Sequence, residues 1–182
     1  MGKKKASRQI QNSAAACPIL PHLYLGPRTS ASMEFVTRHH ITEVLSIGSQ
    51  PPSIIQGVIY HRLSLLDDMS SSIRSVSEDA NNIIKAVGES PNRIILIHCS
   101  AAVSRSPTLV AAYLMKHCGM SLYDALARII SVRPAVCPNP GFLRQLRELE
   151  QDIFSSQTVH VDELPRTKKD RLRFFGGTVS PA

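Results

Sequence analysis

Tryptophan is absent from these 182 residues, and there are only five phenylalanines and four tyrosines. That leaves no aromatic-rich platform on which nucleic-acid bases could stack. The formal net charge of +7 therefore favours anionic partners in general, and no stable nucleic-acid partner is expected. Cysteine is scarce as well. Cys17, Cys99, Cys118 and Cys137 match neither a compact metal cluster nor a dense disulfide scaffold. The reading is a reducing compartment, cytoplasmic and/or nuclear, with no metal and no cofactor. No apolar run approaches the roughly 18 residues of a membrane span, so no transmembrane contact is expected. The opening MGKKKASRQIQNSAAACP has a basic region but no apolar core long enough for a secretory signal. Gly2 suits a myristoyl acceptor, but Ala6 stands where Ser or Thr is wanted. No internal repeat is visible.

What is present is a chain that is 43% hydrophobic, enough for one domain with a real core. Residues 1–17 read as a flexible basic arm, 18–156 as the folded domain, and 157–182 as a basic C-terminal tail. In that tail Arg166, Lys168, Lys169, Arg171 and Arg173 sit among three acids. A solvated segment is the first reading, and a nuclear-targeting or docking patch is the rival. Phe174 and Phe175 could pack back on the domain.

Between the arms the pattern alternates strand and helix. Leu20–Leu25 is a short strand candidate ending at Gly26-Pro27. EVLSI, Glu43–Ile47, is a second, and Val58–Leu66 alternates well enough for a third. Ile73, Val76, Ala80, Ile83, Ile84 and Val87 recur at helical spacing. Pro91-Asn92 marks a turn. RIILI, Arg93–Ile97, is nearly all apolar, as a strand buried on both faces should be. After Ser106 comes PTLVAAYLMKH, with proline where a helix can start. Ser121 caps a further helix to about Ser131, and Phe142 opens another to about Ile153. The fold class is α/β, a central mostly parallel sheet with helices on both faces.

The segment Ile97–Ser106, IHCSAAVSRS, leaves the end of that buried strand and leads into a helix. Backbone N–H groups in such a loop can converge on an anion, aided by the positive end of the helix. The same field favours a thiolate at Cys99. Arg105 offers a planar fork matched to two phosphate oxygens. Ser100, Ala101, Ala102, Val103 and Ser104 are small and uncharged, which leaves room for a phosphate. There is no Walker lysine, so nucleotide binding fits poorly. A lone cysteine would be read as a packed thiol and a lone arginine as a surface charge. Strand, Cys-x5-Arg-Ser and helix together point to phosphate chemistry.

HCSAAVSRS resembles the signature loop of the cysteine-dependent dual-specificity protein phosphatases, of the small single-domain type. LPHLYLGPRTSA, Leu20–Ala31, looks like that family's opening strand pair. AAYLMKHCGMSLYDALARIISVRPAVCPNPGFLRQLRELE, Ala111–Glu150, looks like its closing helices. The resemblance implies a protein-tyrosine-phosphatase-like fold, with 18–156 as the catalytic domain. It implies that Cys99 attacks phosphorus and that Arg105 and the amides of Ser100–Arg105 hold the phosphoryl oxygens. Ser106 would help expel the thiolate. His98 would orient the loop and help ionise the cysteine, or merely pack at the strand end. Asn139 in PNPGF would brace the loop. Arg133 reads as a surface or helix-end charge that could help hold an anionic substrate.

The leaving group needs a proton. The family places its acid after an alternating strand, six positions before an apolar residue that opens the next helix. Asp67 has Leu63 and Leu65 on its alternating face, Ile73 six residues on, and Cys99 32 residues on. Asp68, followed by Met69, is the alternative acid.

One position departs from the family. Ala102 stands where glycine is usual, so a positive φ would cost about 1 kcal/mol, or one amide would point wrongly. Cys118 and Cys137 read as packing residues, either of which could in principle trap an oxidised Cys99. The expected substrates are phosphorylated proteins, kinases among the candidates, carrying phosphotyrosine or phosphoserine/phosphothreonine. The alternatives are an impaired phosphoprotein-binding scaffold, or an RNA-end or phospholipid phosphatase. The loop lacks the lysines that would meet additional lipid phosphates.

Overall fold

ILIHC, Ile95–Cys99 (β5), and EVLSI, Glu43–Ile47 (β3), have no exposed position. Strands buried at every position must be covered on both faces. In the computed structural model, which describes residues 15–176, they lie at the centre of a five-stranded sheet. The strand order is β1 (Cys17–Leu20), β2 (Leu23–Pro27), β5, β3, β4 (Ile59–Leu63). β1 runs antiparallel to β2, and every other pairing is parallel. Ile97 of β5 stands level with Leu25 on one side and Leu45 on the other.

Side-chain alternation along β5 divides the interior. Ile95, Ile97 and Cys99 join the larger core. It is closed by α2 (Arg74–Gly88), α3 (Arg105–Cys118), α4 (Leu122–Val132), α5 (Pro140–Phe154) and α6 (Lys168–Phe175). Leu96 joins a smaller core under the short helix α1 (Met33–Arg38), which contributes Val36. Helices therefore cover both faces, but very unevenly. α3 is the central helix, buried without a break from Ser106 to Met115. Each aliphatic side chain fully buried there contributes about 1.5–3 kcal/mol.

Local signals set the ends of the elements. Ser121 and Asn139 accept from the N–H groups of Asp124 and Phe142 and so cap α4 and α5. Pro140 stands in the first turn of α5. Asn92 takes φ 65° in the expected Pro91-Asn92 turn.

The structure differs from the sequence reading in five places. The strand expected at Arg93–Ile97 is Ile95–Cys99. The candidate strand Leu20–Leu25 is two strands joined by a turn at Pro21-His22. β4 covers only Ile59–Leu63 of the alternating run. α1 was not anticipated. Its six residues are too few for a periodic signal, and the Ser32 cap on the Phe35 N–H marks its start. The segment after Phe154 is packed through its described part. Val159, Leu164 and Phe175 are buried, as is Arg171, which donates to the carbonyls of Pro134, Pro165 and Arg166. Buried Glu150 accepts from the Leu122 and Thr158 N–H groups and ties this segment to the start of α4. Residues 1–14, with most of the expected arm and Gly2, lie outside the described residues, as do 177–182.

Candidate active site

The loop between β5 and α3 is held from outside through its carbonyls. The Ser100 carbonyl accepts from the Arg28 N–H at 3.1 Å and the Val103 carbonyl from the Cys137 N–H at 2.8 Å. Ala101 and Ala102 carbonyls accept from Arg133 Nη2 at 2.9 Å and Nε at 3.0 Å. The Ser104 carbonyl accepts from the Thr108 N–H at 3.0 Å and its hydroxyl at 2.8 Å. A trans peptide sets its N–H opposite its C=O. Fixing every carbonyl from Ser100 to Ser104 on the outside therefore turns the following N–H groups to the inside. Among the described residues, the N–H groups of Ala101–Ser104 have no acceptor in the protein. This is a concave nest for an anion.

Ala102 completes the curve at φ 52°. The methyl group is fully buried, so the loop bends as a glycine would bend, at the conformational cost expected for alanine. Cys99 is buried at the end of β5, and the Ser106 hydroxyl donates to its Sγ at 3.2 Å. Ser106 sits in the first turn of α3, so a single helix terminus carries both the arginine and this hydroxyl.

Arg105 is drawn over the loop. Nη1 donates to the Gly48 carbonyl at 3.0 Å and Nη2 to Ser100 Oγ at 3.0 Å. Nε is buried with no hydrogen-bond partner in the protein. The Asp67 carboxylate stands in ion-pair range but beyond hydrogen-bond distance, so this donor can still bond an anion that enters the loop. Gly48 is required here. Its φ is +59°, and a side chain would strike both the Leu65 carbonyl and Arg105 Nη1.

Asp67 comes to this cluster and Asp68 does not. Asp67 Oδ1 accepts from the Ser104 hydroxyl at 2.7 Å and Asn139 Nδ2 at 2.9 Å, and Oδ2 lies 3.8 Å from Arg105 Nε. Asp68 folds back on its own turn. It accepts from the N–H and hydroxyl groups of Ser70 and Ser71. The Ser70 and Ser71 hydroxyls, and then their N–H groups, hold its carboxyl below the ordinary range. That is the wrong direction for a proton donor. The candidate acid is therefore Asp67. Asn139 is the joint between loops. Its N–H donates to Ser104 Oγ, its Nδ2 to Asp67 and the Asp68 carbonyl, and its Oδ1 caps α5.

His98 points away from Cys99, as alternation requires. Its Nε2 is 2.8 Å from Ser46 Oγ and its Nδ1 3.3 Å from the Cys99 carbonyl. Burial pushes the imidazole below 6.5, outweighing the bond to the Cys99 carbonyl. The ring is thus neutral near pH 7. A carbonyl only accepts, so Nδ1 carries the proton and Nε2 accepts from Ser46. This arrangement steadies the strand end from behind the nucleophile.

The sequence reading missed what Arg133 does. It is 5% exposed and clamps two loop carbonyls, with a third bond to the Ala15 carbonyl. It stands at the end of α4, as one of the expectations had it, but it is buried and not a surface charge. Its place beyond the end of α4 carries no signal of this. Ser46 and Gly48 were missed too, because a serine in a strand and a glycine after one look ordinary. Cys118 is exposed at the far end of α3, about 20 Å along the helix from Arg105. It is neither packed nor within reach of Cys99. Cys137 is half-buried, and its N–H is one of the loop braces.

The sheet, the cysteine-bearing strand end and the arginine-capped nest define a protein-tyrosine-phosphatase-like fold with its signature loop. The family model "Dual specificity phosphatase, catalytic domain" matches residues 23–152. Protein phosphatase Slingshot homolog 3 of Rattus norvegicus is 33% identical over 150 residues, which are 81% of this chain and 23% of that protein. Dual specificity protein phosphatase 1 of Arabidopsis thaliana is 31% identical over 151 residues, 82% of this chain and 76% of that one. The crystal structure of human tyrosine phosphatase-like serine/threonine/tyrosine-interacting protein matches with a TM-score of 0.71 at 30% identity, covering 79% of this chain and 99% of that one. The chain belongs to the dual specificity phosphatase family. It spans about a quarter of the length of its Slingshot relatives.

Proposed function

We propose that the chain hydrolyses phosphate monoesters on proteins, both phosphotyrosine and phosphoserine/phosphothreonine, through a cysteinyl-phosphate intermediate. The observation that carries this is the fixing of each carbonyl from Ser100 to Ser104 on the outer side of the loop. It leaves the loop N–H groups, with Arg105 Nε beside them, free to donate to a phosphate dianion.

The Cys99 thiolate attacks phosphorus. The S–P bond forms as the P–O bond breaks, and Asp67 in its acid form gives its proton to the departing oxygen. Water then attacks the cysteinyl phosphate and delivers a proton to Asp67. The S–P bond breaks, inorganic phosphate leaves, and the Ser106 hydroxyl donates to the returning thiolate. Arg105 and the loop amides hold the equatorial oxygens throughout. Ala102 supports an active loop over an impaired scaffold, because its backbone already adopts the curve. The absence of lysine between Ser100 and Ser104 supports a single phosphate on a protein over a polyphosphorylated lipid headgroup.

The test is turnover of an aryl phosphate by the wild type, its loss in Cys99→Ser, and its strong reduction in Arg105→Lys. Full activity in Cys99→Ser would sink the nucleophile. A silent wild type that captures phosphopeptides and loses them on Arg105→Ala would establish the scaffold instead.

A further inference from the structure

Behind the acid loop, α2 and α5 both pack against α3, and the cleft between them holds a cavity of about 310 Å³. That is room for a small ligand or one long side chain. Gln145 stands at one end. Its Oε1 accepts from the Ile73 N–H and its Nε2 donates to the Ser71 carbonyl, each at 2.9 Å. The carboxamide that lines the cavity therefore also holds the acid loop. From that end the two helices run along the cavity together, α2 through Arg74, Glu78 and Asn81, and α5 through Glu148, Leu149 and Asp152. Asn81 lies seven residues, about 10 Å, beyond Arg74, and Asp152 the same distance beyond Gln145.

The far end lacks donors. Asn81 is 2% exposed, and its Oδ1 is buried with no hydrogen-bond partner in the protein. Leaving such an oxygen unpaired is costly. Of the acids on the cavity, Glu78 is paired with Lys116 at 3.6 Å and Glu148 with Arg144 at 3.8 Å. Among the described residues Asp152 has no cation in ion-pair range. The remaining cation, Arg74, stands at the acid-loop end. Leu149 gives the wall between the ends an apolar surface. An acceptor without a donor, a carboxylate without a cation and an apolar wall beside them complement one kind of group. It is a fork of N–H donors on a methylene stem.

We infer that this cleft binds a guanidinium cation, and that its occupancy acts on the acid loop through Gln145. The guanidinium donates to Asn81 Oδ1 and pairs with Asp152, and its stem lies on Leu149 and runs toward Gln145. The source is an arginine of a partner protein or a small free guanidine, which share this chemistry. Binding stands apart from the phosphatase reading, and only its consequence for turnover rests on that reading.

Calorimetry on the full chain compares butylguanidine with butylurea, its neutral isostere, and with a capped Gly-Gly-Arg-Gly-Gly peptide. Wild type binds butylguanidine at least about tenfold more tightly than butylurea. Asp152→Asn and Asn81→Leu each bring that ratio to about three or less. Asp152 is exposed, so its variant keeps the test if Asn81→Leu does not fold. Tighter binding of the peptide identifies a protein arginine as the ligand, and equal or weaker binding a free guanidine. A Kd above about 10 mM for both butylguanidine and the peptide, equal binding of butylguanidine and butylurea, or a preference that survives Asp152→Asn overturns the site. Hydrogen exchange at the Ile73 N–H reads the coupling without turnover. Saturation with butylguanidine changes its rate by at least about fivefold in wild type. In Gln145→Met the exchange is fast with and without the ligand. An unaltered rate in wild type overturns the link to the acid loop. If the wild type turns over no aryl phosphate, the phosphatase reading falls separately, and these readouts still decide the cleft.

Discussion

The two loops that make the site are built in opposite ways. The signature loop, Ser100–Ser104, runs between a buried strand and a buried helix. Its carbonyls are all held, and its middle residue accepts a positive φ to keep the curve. The acid loop, from Leu66 to Ser72, lies largely in solvent, with Leu66 73% and Met69 60% exposed. Two side chains of α5 tether it. Asn139 holds Asp67 and the Asp68 carbonyl, and Gln145 accepts from the Ile73 N–H and donates to the Ser71 carbonyl. Stabilising charge in a transition state demands donors fixed beforehand. Moving a proton to a leaving group and then from water demands a carboxylate that can be approached from solvent. The difference in bracing matches the two tasks proposed for these loops, and the start of α5 links them.

The contrast can be broken or sharpened by substitution. Cys99→Ser should lower aryl phosphate turnover by at least about a thousandfold while leaving the fold intact, read by steady-state rates and thermal melting. Asp67→Asn should cost about a hundredfold on a substrate with a poor leaving group and far less on one with a good leaving group. Asp68→Asn should cost less than about tenfold on either. Equal losses in the two variants would remove the distinction between the acids. Arg133→Met should destabilise by about 2–3 kcal/mol in urea unfolding, because the Ala101 and Ala102 carbonyls lose their donors. It should also slow turnover, whereas a fall in stability with an unaltered rate would mean the nest forms without its clamp.

Ala102→Gly should change stability by less than about 1 kcal/mol. Relief at φ 52° is offset by the greater freedom of glycine in the unfolded chain. Its rate on aryl phosphate should stay level or rise severalfold, and a fall would mean the methyl group itself supports the loop. The smallest effect concerns pH. Burial lowers the pKa of His98 in the fold, so between that lowered value and 6.5 the unfolded chain binds the proton more strongly. The His98 contribution is fully present above 6.5 and is lost as pH falls through this window. Burial of His22 and His117 acts in the same direction. Unfolding of wild type and His98→Asn as a function of pH isolates the His98 share, and parallel curves would assign it elsewhere.

Much of this was legible because chemistry and periodicity coincide. β3 was bounded correctly from five letters, since Gly48 and Pro51-Pro52 stop the strand after Ile47. Cys99, Arg105 and Ser106 were found together because a strand end, a loop of small residues and a helix start are contiguous in the chain. The spacing to Ile73 and Cys99 favoured Asp67 and kept Asp68 as the alternative. Adjacent carboxylates have the same chemistry, and what separates them is that Asn139, 72 positions away, holds one while Ser70 and Ser71 occupy the other. α6 was hidden for a related reason. Only Phe175 and Arg171 are buried from it, too little for an apolar stripe.

The sequence by itself determined the layered α/β architecture and brought out the candidate nucleophile and the cation beside it, because burial patterns and loop chemistry are written in neighbouring residues. Tertiary structure alone showed that Asp67 is held against the loop while Asp68 folds back on its own turn, that Arg133 clamps the loop, and that Arg28 stands at its edge. Those facts depend on hydrogen bonds and ion pairs between residues far apart in the chain, whose partners only the folded chain brings together.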